Sequence, residues 1–167
     1  MKRVVVTGMG VVSAVGNNFD DFWASIAAGT NGIDYITRFD TTDFRTKMGG
    51  EVRGFEAESY MDKKDAKRLP LFIQFALASA MMAHKDSGLN LELIDPYRIG
   101  VGVGSGIGGI CVMEENARLL MEKGPKRVSP FFVPFEIINM ASGRISMRLG
   151  AKGPNYASVT ACATSNN

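Results

Sequence analysis

Short apolar runs alternate with longer amphipathic stretches along this chain, and the alternation predicts strands and helices in turn. Residues 2–7 form a β-branched run that ends at Gly8, and residues 98–104 form a second apolar run. A third run, residues 156–161, leads directly to Cys162. Runs that are apolar on both faces are typical of central strands in a sheet that helices cover on both sides. We therefore predict three main strands.

Helix signals fill the stretches between the runs. Asn17 and Asn18 are cap candidates, and Asp20 and Asp21 are first-turn acids, for a predicted helix through residues 22–28, in which Trp23 is expected to pack in the core. Another helix is predicted to begin near Pro70 and to be buried on most faces, and two more are predicted over residues 114–123 and 137–149. Residues 29–60 are rich in turns, with one short strand predicted at 50–53.

Strands separated by helices predict an α/β layered fold with a mixed, largely parallel sheet between helices. Apolar residues make up 46% of the chain and charged residues 22%, which is ordinary for a soluble globular protein. The net charge of +2 gives no reason to expect a nucleic acid or a membrane surface as partner. We find no leader and no apolar run long enough to span a membrane, so a soluble, unprocessed protein is expected.

Cysteine occurs twice, as Cys111 and Cys162, and the two lie in different contexts without metal-ligand spacing. We expect reduced thiols, a cytoplasmic location and no metal site. Cys162 follows a strand and a turn of small residues, before residues that can open a helix, and a helix N-terminus favours the nucleophilic thiolate. The alternative is a buried cysteine that acts as a small apolar residue. His84, the one histidine, is either a base for Cys162 or a cation near a helix C-terminus.

Glycines at positions 104, 106 and 109 have the G-x-G-x-x-G spacing after a predicted strand, which raises the possibility of a dinucleotide site. Such a site needs an acidic residue about 20 positions further on. Residues 124–128 (GPKRV) stand there instead, and they include two basic residues and no acidic one. The better interpretation is that the glycines let backbone approach another backbone or a thin acyl chain.

Four ordered motifs together resemble one family. They are residues 4–10 (VVVTGMG), 104–109 (GSGIGG), 129–134 (SPFFVP) and 160–165 (TACATS). The chain is similar to the β-ketoacyl-acyl-carrier-protein synthases of the type II elongating kind. The resemblance implies a thiolase-like fold of two α/β halves, of which residues 1–167 would be an incomplete first half that stops just after the nucleophile. Two catalytic histidines, a lysine and a gating loop would follow, so residues 1–167 alone are not expected to catalyse condensation.

The resemblance also implies the chemistry. Cys162 would take an acyl group from acyl carrier protein as a thioester, and decarboxylation of malonyl carrier protein would supply the carbanion that extends it by two carbons. Ile107 would line the acyl pocket, and Phe132 would reach into the pocket of the partner in a homodimer. No cofactor is implied beyond the phosphopantetheine of the carrier protein, which carries the substrates.

Basic residues at two places match positions that contact the acidic carrier protein in this family: Lys64, Lys67, Arg68, Lys126 and Arg127. Charge alone favours an ordinary solvated helix face for residues 61–68. Three other functions stay open. They are a condensing enzyme that uses coenzyme A thioesters, a non-catalytic chain-length subunit, and a dinucleotide-binding domain.

Overall fold

The structure is a computed structural model, and it describes residues 3–166. It divides into two units, the first formed by Met1–Tyr60 with Ala78–Leu89 and the second by Met61–Leu77 with Asn90–Asn167. No helix within the described range combines the length and the apolar character that crossing a bilayer requires.

The predicted first strand is not formed in the first unit. Residues 3–7 have no strand partner within the described range, and Val4 and Val6 are 94% and 82% exposed; Lys2, the first residue of that prediction, lies outside it. The prediction of a central strand is therefore wrong for this structure. A β-branched run supplies the propensity for a strand, but a strand also needs a neighbour to pair its backbone groups.

Helix α1 spans Phe19–Ala27. The side chain of Asn18 accepts the Asp21 amide and caps the helix, which confirms the predicted cap and first turn. The prediction that Trp23 packs in the core is wrong here, since Trp23 is 60% exposed on a helix without buried residues. Strands β1 (Asp34–Tyr35) and β2 (Met48–Gly49) pair antiparallel, so the predicted strand at 50–53 lies slightly too late in the chain.

The Glu51 carboxylate, just after β2, bonds the residues that follow β1 in this hairpin. Glu51 accepts the Thr37 hydroxyl at 2.8 Å and the backbone amides of Thr37 and Arg38. The Thr37 hydroxyl is the main cause of a pKa for Glu51 below its ordinary value of 4.5. A lowered folded pKa stabilises the hairpin fully above the ordinary value and loses that effect as the pH falls through the folded pKa.

We predict that Thr37→Val raises the pKa of Glu51 toward its ordinary value, because the variant removes the hydroxyl donor and keeps the side-chain volume. A carbon-detected NMR titration of the Glu51 carboxyl measures this directly. Asp20 lies on α1, outside the hairpin, and its carboxyl is the reference in the same spectra. An unchanged titration of Glu51 in the variant would contradict the assigned cause.

Helices α2 (Lys63–Arg68) and α3 (Leu71–Ser87) are separated by Leu69 and Pro70, which confirms the predicted new start. The second unit continues with strand β3 (Val101–Gly104), helices α4 (Ile110–Lys123), α5 (Phe132–Glu136) and α6 (Asn139–Leu149), and strand β4 (Asn155–Ser158). No helix is predicted between residues 124 and 136, so α5 was missed. Phe131 stacks on Phe135 with 5.6 Å between ring centroids, an i,i+4 contact that a helical turn produces.

Strands β3 and β4 pair in parallel, with Val101 opposite Asn155 and Gly104 opposite Ser158. Helix α6 packs on both strands, and its Ala141 and Ile145 are buried there together with Val101. The Asn155 side chain accepts the Ser142 hydroxyl at 2.8 Å and donates to the Ser142 carbonyl at 3.0 Å. The parallel pairing confirms that part of the predicted sheet, and the bonds from Asn155 fix the register of β4 against the helix.

Candidate active site

The carboxyl ends of the two parallel strands lie side by side. Gly104 ends β3 opposite Ser158 at the end of β4, and the Ser105 amide donates to the Ser158 carbonyl at 3.3 Å. The loop after β3 and the turn after β4 therefore leave the sheet at the same edge. In sheets of this type ligands bind outside the carboxyl ends of the strands, so this edge is the candidate site.

Cys162 lies in the turn after β4. The 3₁₀ helix Ala161–Asn166 begins one residue before it, and the Cys162 side chain is exposed. Ala161 has φ +49°, a left-handed conformation that costs a non-glycine residue on the order of 1 kcal/mol. The structure thus has Cys162 at the tip of a strand-to-helix turn with its side chain exposed among residues 3–166, and its role as the nucleophile stays a prediction.

The backbone around the cysteine is closed by local hydrogen bonds. The Ala163 amide donates to the Thr160 carbonyl at 3.0 Å. Within residues 3–166, no backbone acceptor pairs with the amide of Cys162 itself. An exposed thiol beside an amide donor of this kind is what acyl transfer requires, because the donor can receive the negative oxygen of a tetrahedral intermediate.

The glycine-rich loop after β3 approaches other backbone very closely. A Cβ on Gly109 would lie 2.3 Å from the Phe135 carbonyl oxygen, and one on Gly104 would lie 2.4 Å from the Thr164 methyl group. Gly106 faces the Ala161 carbonyl, which a Cβ would meet at 3.9 Å. The space beside Gly104 and Gly109 is filled by the protein's own chain. This supports the interpretation that the glycines permit close approach, and it argues against a pyrophosphate cradle at the same place.

We predict that Gly109→Ala lowers the free energy of unfolding by about 1–3 kcal/mol, because the added methyl group must displace the backbone of α5. Gly143→Ala is the matched control, since a Cβ there meets nothing within 4 Å and sits in the interior of α6. Urea unfolding of both variants gives the comparison. Equal stabilities of the Gly109 variant and the parent protein would contradict the close contact.

A cavity of about 560 Å³ lies in the second unit, beside the start of α4. Arg68, Cys111 and Glu115 contribute its polar and sulfur-bearing lining, and Phe72, Phe131 and Phe135 contribute apolar surface. Cys162 does not line this cavity. Both thiols are exposed, so exposure alone does not distinguish Cys162 from Cys111.

The predicted acyl-pocket residues occupy different settings. Ile107 is 63% exposed and lies in the loop after β3. Of its two neighbours, Gly106 faces the turn of Cys162, and Gly108 lies close to the Glu136 carbonyl. Phe132 is half-buried at the start of α5. Ile107 thus shares the strand-end edge with Cys162. The role of Phe132 in the pocket of a partner stays a prediction.

The predicted carrier-protein contacts are exposed at two places. Lys64, Lys67 and Arg68 lie on α2, and Lys126 and Arg127 lie in the 3₁₀ turn Pro125–Arg127 after α4. Asp65 of α2 forms an ion pair with Arg144 at 3.6 Å, which connects α2 to α6. Both groups of basic residues are exposed, and their role in binding a carrier protein stays a prediction.

The whole chain, residues 1–167, matches the family described as "Beta-ketoacyl synthase, N-terminal domain". The chain belongs to the β-ketoacyl synthase family. The protein of Vibrio cholerae serotype O1 (strain ATCC 39315 / El Tor Inaba N16961) named 3-oxoacyl-[acyl-carrier-protein] synthase 2 is 50% identical over 163 residues, which are 98% of this chain and 39% of the relative. The predicted resemblance is confirmed, and this β-ketoacyl synthase chain spans about two fifths of the length of the curated relative.

Solved structures confirm the predicted thiolase-like α/β fold class. A β-ketoacyl synthase from Burkholderia phymatum STM815 superimposes with a TM-score of 0.79 at 25% identity, over 99% of this chain and 41% of that one. A type II polyketide ketosynthase, solved in complex with its acyl-carrier protein, gives a TM-score of 0.75 at 22% identity over 95% of this chain and 41% of that one. The second likeness concerns the fold alone.

Sequence reasoning missed two buried polar side chains of this β-ketoacyl synthase chain, one in the turn of Cys162 and one beside the cavity at α4. Thr164 is 7% exposed and bonds the turn of Cys162, and Asn116 is 7% exposed and accepts the Ser129 amide at 2.9 Å. Their partners lie four and 13 positions away. For Thr164 the available signal was its position two residues after a candidate nucleophile. Nothing in the local sequence indicates that Asn116 accepts the Ser129 amide.

Proposed function

We propose that residues 1–167 supply the nucleophile segment of a 3-oxoacyl-[acyl-carrier-protein] synthase that elongates fatty acyl chains. The observation that carries the proposal is the exposed thiol of Cys162, in a left-handed turn at the carboxyl end of a parallel strand, beside an amide without a backbone acceptor among residues 3–166. The name of the Vibrio cholerae relative, half of whose aligned residues are identical, gives the substrate class.

In the proposed reaction the Cys162 thiolate attacks the carbonyl carbon of an acyl carrier protein thioester. The new carbon–sulfur bond forms and the bond to the carrier protein's sulfur breaks, while the Cys162 amide donates to the oxygen that bears the transient negative charge. The carrier protein leaves as a thiolate, which takes a proton from the solvent. Malonyl carrier protein then loses carbon dioxide, and its carbanion attacks the acyl thioester. A carbon–carbon bond forms, the bond to sulfur breaks, and the free Cys162 thiolate is restored.

We propose acyl carrier protein as the partner and the exposed basic residues of α2 and of the Pro125–Arg127 turn as its contacts. The ketosynthase solved with its carrier protein supports this kind of partner. Positive side chains raise the association rate of an acidic partner and orient it before contact. A homodimer in which Phe132 reaches the partner's pocket, a cytoplasmic location, and chemistry without a cofactor of the enzyme's own are parts of the same proposal.

The test is a condensation assay on the protein at its full natural length. Acyl carrier protein thioester and malonyl carrier protein should give 3-oxoacyl carrier protein and one carbon dioxide per product, measured by mass spectrometry. The same acyl and malonyl groups on coenzyme A should react at least about tenfold more slowly, because they lack the protein surface that the basic residues would bind. Faster reaction of the coenzyme A thioesters would support a coenzyme A condensing enzyme, and no reaction with either would support a non-catalytic subunit.

A further inference from the structure

One buried hydroxyl group bridges the turn that carries Cys162. The Thr164 hydroxyl oxygen accepts the Thr160 amide at 2.8 Å and donates to the Ala161 carbonyl at 2.7 Å. Thr160 and Ala161 are the two residues that precede the cysteine. The hydroxyl therefore connects the segment that enters the nucleophile position to the residue two positions beyond it.

The second of these bonds, from the Thr164 hydroxyl, is accepted by the carbonyl of the strained residue Ala161. Ala161 has φ +49°, and no side chain of its own stabilises that conformation. A bond to its carbonyl restricts the peptide group between Ala161 and Cys162, and that peptide group includes the Cys162 amide. The direction of the Cys162 amide thus depends on the Thr164 hydroxyl.

The Thr164 side chain is itself held in place by the end of β3. It is 7% exposed, and its methyl group packs against Gly104, where a Cβ would approach to 2.4 Å. The end of β3 therefore fixes the rotamer of Thr164, and Thr164 in turn fixes the turn after β4. The glycine at position 104 is needed for this arrangement because any side chain would occupy the place of the methyl group.

We propose that Thr164 is a positioning residue that aims the Cys162 amide at the oxygen of the tetrahedral intermediate. The inference rests on the proposed function of Cys162 as the acyl-accepting nucleophile. Acyl transfer develops a negative oxygen that needs a correctly aimed donor, whereas alkylation of the same sulfur by iodoacetamide develops none. Loss of the hydroxyl should therefore slow the two reactions to different extents.

The experiment compares Thr164→Val, which removes the hydroxyl and keeps the volume, with Thr164→Ser, which keeps the hydroxyl. Both are made in the protein at its full natural length. In Thr164→Val we expect kcat for acyl transfer from acyl carrier protein to fall at least tenfold with KM within twofold, while the rate of Cys162 alkylation stays within threefold. Thr164→Ser should stay within threefold of the parent protein in both reactions. Alkylation of Cys111 in the same digest is the internal reference.

Three results would overturn the proposal. They are an unchanged kcat in Thr164→Val, an equal loss in Thr164→Ser, and a parallel fall of acyl transfer and alkylation. If Thr164→Val does not fold, hydrogen exchange of the Thr160 amide in the parent and in Thr164→Ser decides. We expect at least hundredfold protection in both, and exchange at the unprotected rate overturns the inference. If the parent protein accepts no acyl group while this protection is present, the proposed function fails and the hydroxyl bridge stands.

Discussion

Cys162→Ala is expected to reduce condensation by at least about a thousandfold, to the background rate, because the variant removes the atom that forms the thioester. The thiol is exposed, so its loss creates no cavity and should leave the free energy of unfolding nearly unchanged. The measurement is kcat for formation of 3-oxoacyl carrier protein, together with a urea unfolding curve of each variant.

Cys111→Ala is the matched control for that variant. Cys111 is also exposed and lies on the wall of the cavity beside α4. We expect the Cys111 variant to keep kcat within about twofold of the parent protein, since the proposed mechanism uses only one thiol. Condensation by the Cys162 variant above a tenth of the parent rate, or an equal loss in the Cys111 variant, would contradict the assignment of the nucleophile.

The second large effect is expected from the basic residues of α2. In Lys64→Glu/Lys67→Glu, KM for acyl carrier protein thioester should rise about tenfold or more while kcat stays within twofold, because like charges slow association with an acidic partner and leave the chemical step alone. The difference should shrink at high ionic strength, since exposed charges are screened over about a Debye length. Steady-state kinetics at low and high salt measure both effects.

A control of equal charge change is available in the same chain. Lys63 and Lys85 are also exposed, and Lys63→Glu/Lys85→Glu alters the net charge by the same amount. Only one of its two substitutions lies on α2, and neither is at a position that matches a carrier-protein contact of the family. A rise in KM of the same size in this control would show a general effect of net charge. A pantetheine thioester without the carrier protein should be used equally well by all three proteins.

Local signals in the sequence were sufficient for most helices. The start of α1 follows from a side chain three residues before the amide it caps, and α3 begins where Pro70 permits a new first turn. The parallel pairing of β3 and β4 and the position of Cys162 after β4 were also predictable, because short apolar runs separated by helices have few arrangements. These features depend on residues that are close in sequence.

Features that depend on distant partners were not predictable in the same way. Residues 3–7 have the composition of a strand, but whether they pair depends on a neighbour that the run itself does not specify. The exposure of Trp23 has the same origin, since burial needs a surface to pack against. The cavity that Cys111 lines is formed by segments on three parts of the chain. No pattern within α4 indicates it.

At the candidate site the sequence indicated the nucleophile but not the side chains that hold its turn and its strand by hydrogen bonds. Cys162 and Ile107 were predicted from their motifs, and the structure has their loops leaving the same edge of the sheet. The Thr164 hydroxyl bonds backbone groups three and four positions before it, and the Asn155 side chain donates to the backbone carbonyl of Ser142 in α6. Such bonds carry no residue preference that is visible at a single position.

The most direct measurement is the location of the acyl group after a single turnover without malonyl carrier protein. The protein at its full natural length is mixed with acyl carrier protein thioester, quenched in acid and digested, and the acyl mass is assigned by tandem mass spectrometry. We predict one acyl group, on the Cys162 sulfur, which hydroxylamine removes. An acyl group on Cys111, or on a hydroxyl such as that of Ser165, or no acyl group at all, would contradict it.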